Sequence, residues 1–332
     1  MDRAISRWIS DTTRDNWGMF FYVENLNSNN YWSIGHQPHG GKTDDYKVTF
    51  ETDRTIYQRK DGNIETTMEV IVSPEYDGEV RRMTFDNHSN SSRVLEITSY
   101  FEVLLTSFEA DNAHPAFSNL FVQTEYLTEF DTLLATRRPR SKNEKTAWLL
   151  HTAKIEGKQI GSTQYETDRV KFLGRGRTAA NPQAMDPDYP LSNTVGPVLD
   201  PIMSMRKRIR IEAGESAKVS YITAAADTRE GIMALVRDCY SNGMSDRCYE
   251  LAWTHSQVEL RYLNITAEQA NIYQTIASRI LYMQTADEWK RNKLLTNKKG
   301  QSILWSYGVS GDMPIVIVRV NKLEHIELAR QM

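Results

Sequence analysis

The alternation of apolar and polar residues from Gly18 to about Ala226 limits what this chain can become more than any motif does. A period of two marks strands with one buried face, and a helix, with its longer period, cannot satisfy it. The alternation is clearest where Leu95, Ile97, Ser99, Phe101, Val103 and Leu105 share one face while Glu96, Thr98, Tyr100 and Glu102 lie on the other. Tyr46, Val48 and Phe50 repeat it on a shorter strand. Between Ile56 and Val72 the pair Asp61-Gly62 predicts a hairpin centred on those two residues, both at positive φ. Further turn clusters at Asn25 to Asn30, Ser73-Pro74, Asp86 to Ser92, Glu156-Gly157 and Ala213-Gly214 space about a dozen strands. That is more than one simple sheet carries, so the expectation is two packed antiparallel sheets.

The period changes at Ala226. Asp227 with Glu230 fits a capping box, followed at helical spacing by Ile232, Leu235, Val236 and Cys239. A second helix is predicted from Ser245 to Leu263, and a third from Thr266 with Gln269 as its reciprocal cap. Tyr273, Ile276, Ala277, Ile280 and Leu281 form the stripe by which a globular helix faces a core. Lys290 to Gly300 reads as a basic connector, and a last helical start falls at Leu323, Ile326 and Leu328. The predicted organisation is a β-sandwich over 1–226, a helical linker over 227–299, and over 300–332 the beginning of a further, truncated unit.

Composition narrows the function classes. Forty basic against 43 acidic side chains leave a formal charge of −3, which argues against a nucleic-acid binder or a polybasic membrane patch. No window reaches the roughly 18 uninterrupted apolar residues of a spanning helix, and Met1 to Asp11 lacks the apolar core of a secretory signal. Cys239 and Cys248 cannot make a disulfide framework and have no zinc-ligand neighbours, so the expectation is a cytoplasmic, reducing location with no metal or other cofactor.

Catalytic signatures are missing: no nucleophile elbow, no zinc-protease helix, no phosphate loop of the Walker type and no dinucleotide fingerprint. What remains are polar clusters suited to sugars or anions. Asp111 and His114 stand in a long loop after the strongest strand, as a contact for sugar hydroxyls or as a self-capping turn. Arg137, Arg138 and Arg140 end a strand reading Thr132 to Thr136, facing a phosphate or glucan or simply solvated. Arg175 and Arg177 sit in the sequence Gly174-Arg175-Gly176-Arg177, an anion or sugar contact or a turn pinned by surface carboxylates. Trp305, Tyr307 and Asp312 lie among Gly308 and Gly311, as a saccharide platform or, for the two rings, as core anchors. No acid stands in a context that marks it as a proton donor for glycoside chemistry.

Five stretches carry a resemblance. Ala113 to Glu125, Leu134 to Ser141, Phe172 to Arg177, Trp253 to Arg261 and Gly308 to Val316 resemble the cyclic β-1,2-glucan synthases, in the phosphorylase-like region related to the cellobiose and chitobiose phosphorylases of glycoside hydrolase family 94. The similarity runs from about Arg7 to the last residue. It implies a large supersandwich leading through linker helices into an (α/α)6 barrel, of which only the first elements, from about Gly300, fall in this chain. It also implies that the general acid lies on the barrel beyond the chain's end, so no catalytic residue is carried over and the chain alone is expected to be inactive. The sandwich would support the barrel, assist homodimer formation and lend a loop to the acceptor subsite. Implied partners are a β-glucan or glucooligosaccharide and, in the full protein, inorganic phosphate; a full-length parent would be associated with the inner membrane. Two other readings stay open, a free-standing carbohydrate-binding module and a small glycosidase using sandwich carboxylates.

Overall fold

The computed structural model describes residues 3–9, 16–139, 146–241, 243–281, 292–293, 295–313, 315 and 317–331. They form two compact units, Met1–Val258 and Glu259–Met332, described separately. The first holds two antiparallel sheets. One has seven strands: β1 (Ala4–Ser6), β2 (Phe20–Asn25), β3 (Asn30–Ser33), β8 (Arg93–Thr106), β12 (Lys158–Gln159), β13 (Gln164–Asp168) and β15 (Pro201–Ile211). Their order is β12-β15-β8-β2-β3, with β1 added to β8 and β13 to β15. The other has nine: β4 (Asp45–Phe50), β5 (Thr55–Asp61), β6 (Ile64–Val72), β7 (Gly78–Asn87), β9 (Val122–Leu127), β10 (Thr132–Arg137), β11 (Ala147–Glu156), β14 (Gly196–Pro197) and β16 (Ser216–Ala226). Their order is β14-β9-β10-β11-β16-β7-β6-β5-β4.

The period-two face of β8 does what it predicts. Leu95, Ile97, Phe101, Val103 and Leu105 join Phe21 and Val23 against Met83, Phe85, Leu133, Leu149 and Val219 of the facing sheet. The opposite face of β8 is the first departure from expectation, because it is buried as well. Segment 169–191 crosses it and brings Phe172, Leu173, Met185 and Leu191 onto Phe20, Tyr22 and Tyr100, with the Phe172 and Tyr100 rings stacked at 4.8 Å. The outer face of the nine-stranded sheet is covered by α4 (Arg229–Tyr240) and the start of α5 (Met244–Leu263), through Ile232, Val236, Cys239, Cys248 and Tyr249 on Ile71, Val80, Leu150 and Ile222. Both cysteines are therefore buried, unbridged packing residues.

Two local readings shift by one residue. β5 ends at Asp61 and β6 begins at Ile64, so Gly62-Asn63 rather than Asp61-Gly62 forms the turn. Among its two central residues only Gly62, at φ 60°, has positive φ, which matches the turn type with glycine first rather than the one with both central residues left-handed. Helix α4 is capped by Thr228, whose hydroxyl accepts from the Gly231 N–H at 3.0 Å, and Asp227 stands outside it. The capping box of α6 (Ala267–Leu281) forms as read: the Gln269 side chain accepts from Thr266 N–H at 2.9 Å and Thr266 Oγ1 accepts from Gln269 N–H at 3.2 Å. Its stripe is only partly covered: Tyr273 and Ile276 are half-buried, while Ala277 and Ile280 stay exposed. No helix among the described residues is long and apolar enough to cross a membrane.

The two sheets are also tied by a buried polar bridge. His151 on β11 contacts Ser99 Oγ of β8 through Nε2 at 2.8 Å and Thr223 Oγ1 of β16 through Nδ1 at 2.9 Å, while the Tyr221 hydroxyl donates to Ile97 O at 2.8 Å. Complete burial, with the Arg81 charge adding to it, lowers the His151 pKa to about 3. The imidazole stays neutral in the fold but gains a proton in the unfolded chain below about 6.5, so stability it supports above that pH is lost as pH falls towards 3. Between pH 7 and 5 this group accounts for a loss of about 2 kcal/mol. Urea unfolding of the wild type and of His151→Gln at both pH values is expected to show that increment only in the wild type; equal pH dependence in the two contradicts the assignment.

Candidate functional site

The end of β8 builds the most elaborate polar site. Leu105 adopts φ 54°, a left-handed conformation uncommon for leucine, just before the strand ends. Ser107 caps α1 (Phe108–Ala113), its hydroxyl accepting from Ala110 N–H at 3.2 Å, and Pro115 opens α2 (Pro115–Asn119). The segment read as a loop is thus a pair of short helices. Its inward side meets Arg7, which lies beside β1. Arg7 forks onto both oxygens of Asp111 at 3.0 and 2.9 Å, and also donates to Glu102 at 2.6 Å and Asn119 at 3.2 Å. Glu102 accepts further bonds from Arg169 Nε at 2.8 Å and the Tyr100 hydroxyl at 3.1 Å. Asn119 donates to Asp200 at 2.6 Å, and Arg169 approaches the same carboxylate at 3.4 Å. Burial disfavours charge on Arg7, but the hydrogen bond to Asp111 and the charges of Glu102 and Asp111 outweigh it and raise its pKa. Burial and Glu102 together push the Tyr100 phenol far up, so it remains a donor.

Four of the sequence-predicted residues gather here and divide by direction. Asp111 is held by Arg7 and makes no bond to His114 among the described residues. Arg137 is buried, donating to Ser118 O at 2.8 Å with its guanidinium 5.3 Å from the Phe121 ring centre. Both brace the turn from inside. His114 and Arg138 are exposed, and Arg138 rests 5.6 Å from the Phe121 ring. Arg140 lies outside the described residues.

The remaining predicted residues fall elsewhere. Helix α3 (Arg169–Leu173), capped by Asp168, ends at Gly174 with φ 81°, where a Cβ would strike Gln183. In the turn that follows, Arg177 pairs with Asp186 at 2.6 Å and Arg175 is exposed. This turn leads to Ala179, whose carbonyl accepts from Tyr22 on the outer face of the seven-stranded sheet. Trp305, Tyr307 and Asp312 belong to the second unit. There a 3-10 helix, Gln301–Tyr307, closes with Trp305 Nε1 donating to Ser310 O at 3.1 Å and Gln301 Nε2 to Asp312 at 2.9 Å. Both rings are exposed, at 65% and 79%, so neither is a core anchor.

Sequence reasoning missed Arg7, Glu102, Asn119, Arg169 and Asp200. The sequence offered only Glu96 and Glu102 on the outer row of β8; their burial, and with it their need for cationic partners, appears in the fold. Glu96 finds them in Arg208, at 2.7 Å, and Arg206. Glu24, opposite Glu96 in the β2–β8 pairing, has its pKa raised to about 7 by burial and by Glu96, against the opposing pull of Arg206 and Arg208.

Two antiparallel sheets, covered on both outer faces and closed at one end by an ion-paired helical turn, define a supersandwich domain. The chain belongs to the glycosyl hydrolase 94 supersandwich family, whose model matches residues 1–242. It is 33% identical over 331 residues to the cyclic β-(1,2)-glucan synthase NdvB of Rhizobium meliloti (strain 1021), covering 99% of this chain and 12% of that protein. It is 24% identical over 223 residues to an N,N′-diacetylchitobiose phosphorylase of Vibrio proteolyticus, covering 66% of this chain and 26% of the phosphorylase. A solabiose phosphorylase of Paenibacillus borealis is 23% identical over 224 residues, covering 68% of this chain and 28% of that enzyme. The chain therefore spans between about an eighth and a quarter of these relatives' lengths.

Removing Arg7 leaves Asp111 and Glu102 buried without their shared cation. Arg7→Ala is expected to destabilise the fold by about 3 kcal/mol. Arg138→Ala, on the exposed side of the same turn, should stay within about 0.5 kcal/mol. Chemical denaturation of both variants checks the pair of values, and a near-neutral Arg7→Ala contradicts the network's role.

Proposed function

We infer that this chain is the sandwich and linker part of a cyclic β-1,2-glucan synthase, where it supports and shapes a glucan-processing barrel and contacts carbohydrate without carrying the chemistry. The observation that carries this reading is the similarity to the Rhizobium synthase along 99% of the chain, combined with coverage of only 12% of that protein. In this reading the sandwich occupies 1–226 and the helical linker 227–299, while residues from 300 onward begin the barrel. The exposed Ile272, Ile280, Leu295, Ile317 and Leu323 of the second unit support this reading as apolar surface that a barrel would cover. The braced turn at 108–119 then offers His114 and Arg138 towards a glucan, with Asp111 and Arg137 fixing its position. Inorganic phosphate would be met by the full protein, and its partner in assembly would be a second copy. The free thiols Cys239 and Cys248 accord with work in the cytoplasm.

Incubating the purified chain with β-1,2-glucooligosaccharides and inorganic phosphate is expected to release no glucose 1-phosphate. Phosphorolysis above the buffer control would overturn the assignment of the chemistry to residues outside this chain.

A further inference from the structure

A polar cleft of the sandwich lies away from the braced turn, at the opposite end of β8. Its volume of about 590 Å³ is within the usual range for small-ligand sites. Three connections build it: the β2–β3 turn with Asn25, Asn27, Ser28 and Asn30; the approach to β4 with Lys42, Thr43 and Asp44; and the β5–β6 turn with Asp61, Gly62 and Asn63. Arg93, at the start of β8, completes the rim, and Trp32 and Ile64 form its apolar part.

The walls are held by their own hydrogen bonds. Asp44 accepts from Gly62 N–H at 2.8 Å, Asn27 Oδ1 accepts from Val94 N–H at 2.8 Å, and Thr43 donates to Lys60 O at 2.7 Å. Asp61 is taken by both arms of Arg59, at 2.6 and 2.8 Å. These bonds tie the approach to β4 to the β5–β6 hairpin and the β2–β3 turn to the start of β8, and leave the side-chain amides of Asn30 and Asn63, together with the amide nitrogen of Asn27, without hydrogen-bond partners among the described residues. Trp32 is 3% exposed, and its indole N–H has no acceptor among the described residues either. A buried donor left unpaired is rare in folded proteins.

The chemistry of the lining selects the ligand class. Lys42 and Arg93 face Asp44 and Asp61 in the lining, and because Asp61 is already paired with Arg59 the cleft carries at most one unbalanced positive charge, which disfavours a cation and gives a phosphate dianion no matching pair of charges. No group of side chains suited to a metal ion occurs among the described residues. Trp32 and Ile64 are both buried, which leaves no open apolar pocket for a peptide side chain. Carboxamides offer a donor and an acceptor side by side, the arrangement that neighbouring sugar hydroxyls match. We propose that this cleft is a binding site for a neutral oligosaccharide chain, held by Asn27, Asn30, Asn63 and Lys42, remote from the 108–119 turn. The identity of the sugar as a β-1,2-glucan rests on the function proposed above; the site itself does not.

The test is calorimetric titration of the intact chain with linear β-1,2-glucooligosaccharides, cello-oligosaccharides, laminari-oligosaccharides and inorganic phosphate, with hydrogen-exchange mapping of each complex. The proposal expects β-1,2-glucooligosaccharides to bind and to protect residues 25–32, 42–44 and 61–64. Asn30→Ala combined with Asn63→Ala is expected to weaken binding about tenfold, as loss of two hydrogen-bonding amides should. Lys42→Ala, a single exposed change, serves as an independent variant, and unaltered thermal unfolding certifies each fold. Protection of the cleft by another oligosaccharide alone keeps the site and overturns the glucan reading. Glucan binding that maps to the 108–119 turn or to 301–312 keeps the glucan reading and overturns the site. Binding unaffected by the variants, protection of the cleft by phosphate, or no saccharide binding at all also overturns the site.

Discussion

Burial of the outer face of β8 is the constraint on which the rest of the sandwich depends. Fourteen residues long, β8 runs through the middle of its sheet and is covered on both sides except at its first two residues. One side is apolar and needs only another sheet. The other carries Glu96, Thr98, Tyr100 and Glu102, and each of these needs a partner once water is excluded. The partners arrive from distant chain: Arg206 donates to Thr98 and Arg208 to Glu96, Phe172 stacks on Tyr100, and Arg7 and Arg169 both reach Glu102. The long excursion through α3 and the attachment of the amino-terminal strand are therefore consequences of what β8 places on its second face.

That dependence reaches the end of the domain that carries the 108–119 turn. Glu102 links Arg7, which holds Asp111 in the 108–119 turn, to Arg169, which begins α3. The side chains turned outward at this end, His114 and Arg138, are thus positioned by ones turned inward. At the far end of β8 the positioning is done by hydrogen bonds between turns, and the amides left over face a cleft. The two ends offer different chemistry from one compact unit: a charged, helical turn at one and an amide-lined cleft at the other.

Much of this was legible in the sequence because it depends on local periodicity. The inner face of β8 and the Thr266–Gln269 cap form where the spacing places them, and the hairpin before Val72 forms with its turn one residue further along. The errors have separate physical causes. A period of two assigns residues to faces but does not say whether a polar face meets water or another segment, so Glu96 and Glu102 read as solvated when they are ion-paired and buried. Single-residue shifts at Gly62 and Thr228 arise because neighbouring residues offer equivalent chemistry and tertiary fit selects between them. Among the site residues, Asp111 and Arg137 were visible as polar clusters, but their partners Arg7 and Ser118 O are brought to them only by folding. The cleft residues were invisible for a simpler reason: Asn27, Lys42 and Asn63 belong to separate turns that meet only in space.

Hydrogen exchange of a Glu102→Gln variant, compared residue by residue with the wild type, tests the central dependence most directly. The substitution keeps the size of the side chain but removes the charge shared by Arg7 and Arg169. If β8 organises the domain through this carboxylate, protection should fall together in residues 108–119 and 169–173 while β10 and β11 keep theirs. Loss confined to one of the two segments, or to neither, would contradict the account.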